Sequence, residues 1–167
     1  MNRTEIRAHF DRAVEKDVVH LTRAALTKTE IANLLTTARM NLTQVAPHNR
    51  RYPWVAYNAL YDACRQATDA LLGAYGHKAI GAGAHEHAFR GGEAIFHALG
   101  SSEAESLLAD VRTVVRQRRH EIHYEGTTNI DSDDLDFAQH VAERVVPLLT
   151  EETLATLGLG PEQIGVE

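Results

Sequence analysis

Arginine and histidine, two residue types that act on phosphate groups, are concentrated in one short part of the chain. Residues 112–119 contain four arginines and no acidic residue, and Arg118 is followed five positions later by His123 and then by Tyr124. An arginine binds a phosphodiester through a forked pair of donors, and a histidine transfers protons near neutral pH. Together they are sufficient for metal-independent RNA cleavage, in which a 2'-hydroxyl attacks the adjacent phosphate.

Two stripes at helical spacing indicate that one helix, predicted over about 103–122, positions these residues. The apolar stripe comprises Leu107, Leu108, Val111, Val114, Val115 and Ile122. The basic stripe beside it comprises Arg112, Arg116, Arg119 and His123. Arg118 falls on the apolar stripe by periodicity, where an unpaired charge is costly.

Arg118 therefore has two interpretations. In the first, the other arginines are solvated and Arg118 pairs with a carboxylate on a neighbouring helix. In the second, Arg118 and His123 meet at a helix end beside a cleft, where the basic stripe contacts phosphates and makes binding salt-dependent.

The surrounding chain is helical in pattern almost throughout. Thr27 and Glu30 fit a capping box for a helix that Pro47 ends, and Pro53 opens a longer apolar helix. Residues 76–83 are predicted to form a loop. These features predict an all-α bundle of four to five helices.

Two further helices complete that bundle. The helix at about 84–99 is expected to be interrupted by Gly91 and Gly92, and the last helix is expected to begin with Asp131 or Ser132 as its cap. The predicted organisation is an N-terminal helical extension over 1–26, the bundle over 27–157 and a flexible C-terminal tail over 158–167.

Composition limits the class of protein. The chain has 167 residues and a single cysteine, Cys64, which excludes an intrachain disulfide framework and a multi-cysteine zinc site. Cys64 is expected to serve packing. No apolar run approaches the length of a membrane span, and we expect a cytoplasmic protein without a membrane partner. The net charge of -6 excludes a uniformly basic nucleic-acid-binding coat but not a local basic site.

Histidines are also numerous, at ten. His85-Glu86-His87, with His77 nearby, contains residue types that bind transition metals, but surface histidines in a glycine-rich segment are the expected explanation. We predict no metal site and no cofactor.

The chain resembles HEPN domains, which are small, usually dimeric helical bundles. The resemblance covers roughly residues 28–150. It rests on Arg118-x4-His123 followed by Tyr124, on the tyrosine- and alanine-rich helix over 57–72, and on the Gly76-His77 loop after it. It implies a HEPN-like up-and-down bundle. Arg119 followed by His120 also fits the start of the motif, but brings His123 closer than the usual spacing.

The resemblance implies a metal-independent endoribonuclease or RNA-binding protein, often a toxin or defence effector, that acts as a homodimer. Arg118 would bind the scissile phosphate and His123 would act as general acid or base. The residues expected to contact RNA beside them are Arg112, Arg116, Arg119, His120 and Tyr124. The alternative is a non-catalytic module that binds a nucleotide or a nucleotidyltransferase-type antitoxin.

Overall fold

The computed structural model describes residues 3–15, 20–124, 130–160 and 162 of the chain. At positions 13, 123 and 124 it describes the backbone only.

Helices make up most of the described residues, which confirms the all-α prediction. The helices are α1 Arg3–Glu15, α2 Lys28–Met40, α3 Ala46–His48, α4 Pro53–Ala74, α5 Ala84–Leu99, α6 Ser102–Asp110, α7 Arg116–Tyr124 and α8 Ser132–Leu157. Two π-helical turns, Asn41–Val45 and Val111–Val115, join α2 to α3 and α6 to α7. Each joined pair forms one continuous helical segment. The described part of residues 28–157 therefore contains five helical segments, over 28–48, 53–74, 84–99, 102–124 and 132–157.

A two-stranded antiparallel ribbon accompanies the helices. Its strands are β1 Leu21–Arg23 and β2 His77–Ala79, with Thr22 opposite Lys78. The prediction of a loop over residues 76–83 is therefore wrong for its first part. A three-residue strand has too few positions to show an alternating pattern, and its partner lies far away in the chain.

Helix α4 lies at the centre of the bundle and packs against α2, α5 and α8. Its buried alanines are Ala56, Ala59, Ala63, Ala67, Ala70 and Ala74. Cys64 is buried on the same helix, and burial raises the pKa of its thiol to about 12. Because a thiol in this state is inert, the packing role predicted for Cys64 is confirmed.

Side-chain caps begin two of the helices as the sequence indicates. The Thr27 hydroxyl accepts a hydrogen bond from the Glu30 backbone N–H, and the Glu30 carboxylate accepts one from the Thr27 N–H. Asp131, one of the two predicted caps of α8, accepts a hydrogen bond from the Asp134 N–H.

Gly91 and Gly92 do not interrupt α5, which corrects the prediction made for them. A Cβ atom on Gly91 would lie 2.9 Å from carbon atoms of both Leu21 and Leu72. On Gly92 it would lie 3.0 Å from Leu108. These glycines let α5 approach its neighbours closely, and an unbroken helix tolerates them at a cost of about 1 kcal/mol each relative to alanine.

The N-terminal helix belongs to the main core. Ile6 and Phe10 on α1 are each 1% exposed and share one buried cluster with α4.

Most of the predicted C-terminal tail lies outside the described residues, but Gly158 ends α8 with a positive φ of 65°. Among the described residues, no helix is both long and apolar enough to cross a membrane.

Candidate anion-binding site

The predicted catalytic arginine, Arg118, is held by two carboxylates. Its Nε donates to the Asp134 carboxylate on α8 at 2.9 Å, and its Nη1 donates to the Glu121 carboxylate at 2.6 Å. The side chain is 29% exposed. This is the ion pair between neighbouring helices that the sequence offered as one interpretation of Arg118.

Arg112 and Arg116, on the basic stripe, are also paired with acids. Arg112 Nε donates to Glu93 at 2.6 Å, and Arg116 Nη2 donates to Glu86 at 3.2 Å. Both acids lie on α5, so these contacts fix α7 and the preceding π turn against α5. Paired guanidinium groups of this kind have donors left for a further ligand, because each has five.

Arg119 has a different environment. Its guanidinium carbon lies 4.6 Å from the centre of the Tyr61 ring, in a cation–π contact. Its Nε is buried and has no hydrogen-bond acceptor among the described residues. Since a buried donor atom without a hydrogen-bond acceptor is uncommon in folded proteins, Arg119 is a candidate ligand-binding residue.

Arg119 lines a cavity of about 290 Å³, here named the Arg119 cavity. Three parts of the chain form it: α4, α7, and the glycine-rich turn with the first turn of α5. The lining residues are Tyr61, Gly81, Gly83, Ala84, His85, Glu86, Arg116, Arg119 and His120. Gly81 and Gly83 both have a φ of 77°, which side-chain-bearing residues rarely adopt, so the turn that presents His85 requires glycine.

A second cavity, of about 440 Å³, adjoins the first along α7. The two share Arg116 and His120, and the remaining lining residues of the second cavity are Arg112, Thr113 and Gln117. The two neighbouring cavities are together named the α7 groove.

Tyr61 and His85 are site residues that sequence reasoning did not select. The Tyr61 hydroxyl and His85 Nδ1 lie 3.0 Å apart, in hydrogen-bond contact. His85 is exposed at one side, but partial desolvation of its imidazole lowers the pKa of His85, and the charges of Arg65 and Arg119 lower it further. Burial raises the pKa of Tyr61 to about 12, so its hydroxyl stays protonated at neutral pH. The sequence offered two signals, the His85-Glu86-His87 run and the glycine-rich turn before it, but neither connected His85 with Arg119.

The predicted site residues are thus partly brought together. Arg112, Arg116, Arg119 and His120 line the α7 groove. Arg118 does not line the α7 groove; its guanidinium is paired with the Asp134 and Glu121 carboxylates. The backbone of His123 and Tyr124 lies in the last turn of α7, and their side chains lie outside the described part of the structure.

Within the described ranges, no three or more His, Cys, Asp or Glu side chains are grouped so that they could hold a metal ion.

Comparisons of the chain with family models, with curated proteins and with solved structures gave no match. The resemblance to HEPN domains therefore rests on the sequence pattern.

Proposed function

We propose that this chain is a HEPN-like RNA-binding protein that holds the phosphate backbone of single-stranded RNA in the α7 groove and cleaves it without a metal ion. The observation that carries this proposal is the Arg119 guanidinium, which stacks on Tyr61, has no carboxylate partner among the described residues and belongs to a side chain that lines a cavity. A phosphate oxygen in that cavity would accept hydrogen bonds from the guanidinium.

The charges around the Arg119 cavity favour an anion. Two arginines and two histidines line it, against one acidic residue, Glu86. The Glu86 carboxylate already accepts hydrogen bonds from Arg90 and Arg116. Its negative charge is thereby neutralised, and the cavity keeps a net positive character from Arg119.

The length of the α7 groove favours a chain of phosphates over a single one. Arg112 and Arg119 are seven residues apart, which corresponds to roughly 10 Å along a helix. The second cavity has no acidic lining residue. A strand whose one phosphate binds Arg119 can therefore place a neighbouring phosphate against Arg116 and Arg112. Tyr61 is buried beneath Arg119, so the bases would lie toward solvent.

Cleavage in such a site requires no metal. The 2'-oxygen forms a bond to phosphorus while the bond from phosphorus to the 5'-oxygen breaks, giving a 2',3'-cyclic phosphate and a 5'-hydroxyl. Arginine donors stabilise the charge that builds up on the phosphate oxygens. The assignment of Arg118 and His123 as the catalytic pair, implied by the HEPN resemblance, stays a prediction, as does contact of Tyr124 with RNA. In the present proposal Arg119 binds the phosphate instead, and Arg118, paired with Asp134 and Glu121, has a structural role.

The non-catalytic alternative uses the same cavity. At about 290 Å³ the Arg119 cavity is at the small end of ligand pockets, and one nucleotide would fill it.

The homodimer and the nucleotidyltransferase-type antitoxin implied by the HEPN resemblance stay predictions.

Binding of a fluorescent single-stranded oligonucleotide in its 2'-deoxy form, which cannot be cleaved, tests the phosphate-binding part of the proposal when measured by anisotropy. Arg119→Ala should weaken binding at least about tenfold, because a charge-assisted hydrogen bond is worth about 1.5–3 kcal/mol. It should also reduce the slope of log affinity against log salt by about 0.7.

Arg144→Ala is the matched control, because Arg144 is a half-exposed arginine on α8 that pairs with Glu103. It should bind the oligonucleotide like the unmodified protein. Equal binding by Arg119→Ala and the control would contradict the proposal. Binding of mononucleotides but not of the oligonucleotide would favour the non-catalytic alternative.

A further inference from the structure

One buried tyrosine connects the candidate phosphate site to a histidine. Tyr61 is 0% exposed, so its ring is fixed in the core. Arg119 stacks on that ring, and the hydroxyl at its end contacts His85. The cation and the imidazole are therefore held on two parts of the same rigid side chain, at the wall of the same cavity.

The groups facing His85 keep its imidazole neutral near pH 7. They come from three helices: Tyr61, Asp62 and Arg65 on α4, Glu86 on its own helix α5, and Arg116, Arg119 and His120 on α7. Partial desolvation and the three arginines lower the pKa of His85, and Asp62 partly opposes them. A neutral imidazole can accept a proton.

Three other groups that line the cavity, those of Glu86, Tyr61 and Arg119, are poorer proton acceptors than a neutral imidazole. The Glu86 carboxylate is bound by Arg90 and Arg116, and the Arg90 hydrogen bond is the largest cause that lowers its pKa. Tyr61 keeps its proton at neutral pH. Arg119 is a permanent cation.

We infer that His85 is the general base of the reaction, removing the proton from the attacking 2'-hydroxyl of an RNA strand bound in the α7 groove. This inference rests on the proposed function. In this role the neutral imidazole has its proton on Nδ1, one of the two tautomers that the 3.0 Å contact with the Tyr61 hydroxyl allows, and the lone pair on Nε2 accepts the 2'-hydroxyl proton.

The atoms balance in this step. The 2'-oxygen loses its proton to His85 Nε2 and bonds to phosphorus, while the 5'-oxygen leaves with the electron pair of its bond and takes a proton from water. His85 then returns its proton to solvent. Tyr61 is a positioning residue, since it acts only through the orientation of His85.

His85→Asn provides the test, because the asparagine amide can still hydrogen-bond to Tyr61 near the former Nδ1 position but cannot accept a proton. Two quantities are measured without divalent metal: cleavage of a single-stranded RNA, and binding of the same sequence in its 2'-deoxy form, which cannot be cleaved. His97→Asn is the control, since His97 lies on the same helix with its side chain 72% exposed.

We expect His85→Asn to slow cleavage at least about 100-fold and to bind the 2'-deoxy strand within about threefold of the unmodified protein. In the unmodified protein kcat/KM should fall as the pH drops below 6.5, because His85 becomes protonated, and this acid limb should be lost in His85→Asn. His97→Asn should cleave RNA at the unmodified rate and keep the acid limb of the pH profile.

Cleavage by His85→Asn at the unmodified rate, or with the same acid limb, would overturn the inference and leave the phosphate site intact. An unmodified protein that binds the 2'-deoxy strand but does not cleave RNA would overturn the base role in the same way. Absence of binding by the unmodified protein would instead contradict the proposed function, and the inference with it.

Discussion

At the residue scale, two adjacent arginines have contrasting surroundings. Arg118 is bound by Asp134 and Glu121, whereas Arg119 lies over Tyr61 with its Nε lacking an acceptor among the described residues. Successive helical residues point about 100° apart, so neighbours in sequence face different parts of the bundle. Arg118 holds α7 to α8, and Arg119 faces the α7 groove.

Replacement of Arg118 tests whether this residue stabilises the bundle rather than binding RNA. We expect Arg118→Ala to lower the free energy of unfolding by about 1 kcal/mol, because the lost ion pairs are partly exposed, and to change RNA binding by less than about threefold. Urea denaturation and anisotropy measure the two effects. A loss of RNA binding as large as that of Arg119→Ala would show that Arg118 contacts the strand directly.

The sequence predicted half of the site for a physical reason. Helical spacing within one segment places Arg112, in the π turn, and Arg116 and Arg119, in α7, on one side of that segment, and the spacing is local information. Tyr61 and His85 come from two other helices, and their contact with Arg119 depends on how α4 and α5 pack, which local spacing does not encode.

At the element scale, the helix boundaries followed from local chemistry. Thr27, Glu30 and Asp131 cap their own helices through hydrogen bonds that span three residues, so their sequence pattern predicted the structure directly. The β1–β2 ribbon and the role of Gly91 depend on residues distant in the chain, and both were missed.

The capping box of α2 can be tested by mutation. Thr27→Ala should destabilise the protein by about 1 kcal/mol, because the Glu30 backbone N–H loses its acceptor at the helix start. The control is Thr36→Ala, at an exposed position inside the same helix. It should be neutral or stabilising by a few tenths of a kcal/mol, since alanine has the higher helix propensity. Thermal denaturation followed by circular dichroism compares them, and equal losses would contradict a cap at Thr27.

At the scale of the whole molecule, the first helix is integrated with the bundle. Phe10 packs edge-on against Tyr75 and His77, with ring centres 5.8 and 5.2 Å apart. Arg3 pairs with Glu152 of α8, whose other carboxylate oxygen accepts a hydrogen bond from Tyr75. The N-terminal segment therefore contributes to the same core as α4 and α8.

Truncation of Phe10 measures that contribution. Phe10→Ala should lower the free energy of unfolding by about 3–5 kcal/mol, as expected for a fully buried phenylalanine. Phe137→Ala, at a position 38% exposed, should cost less than about 1.5 kcal/mol because much of the ring is already in water. The two urea transitions are compared at one temperature. If Phe10→Ala costs no more than Phe137→Ala, α1 is an appendage rather than part of the core.

Contact between the Arg119 side chain and a backbone phosphate can be observed by NMR of the arginine Nε–Hε groups. The protein is titrated with a single-stranded oligonucleotide in its 2'-deoxy form, and Arg118, whose Nε is already bonded to Asp134, serves as the internal reference. Saturable movement of the Arg119 Nε–Hε signal, with the Arg118 signal unmoved, is the predicted result. Movement of the Arg118 signal while that of Arg119 stays in place would contradict the account.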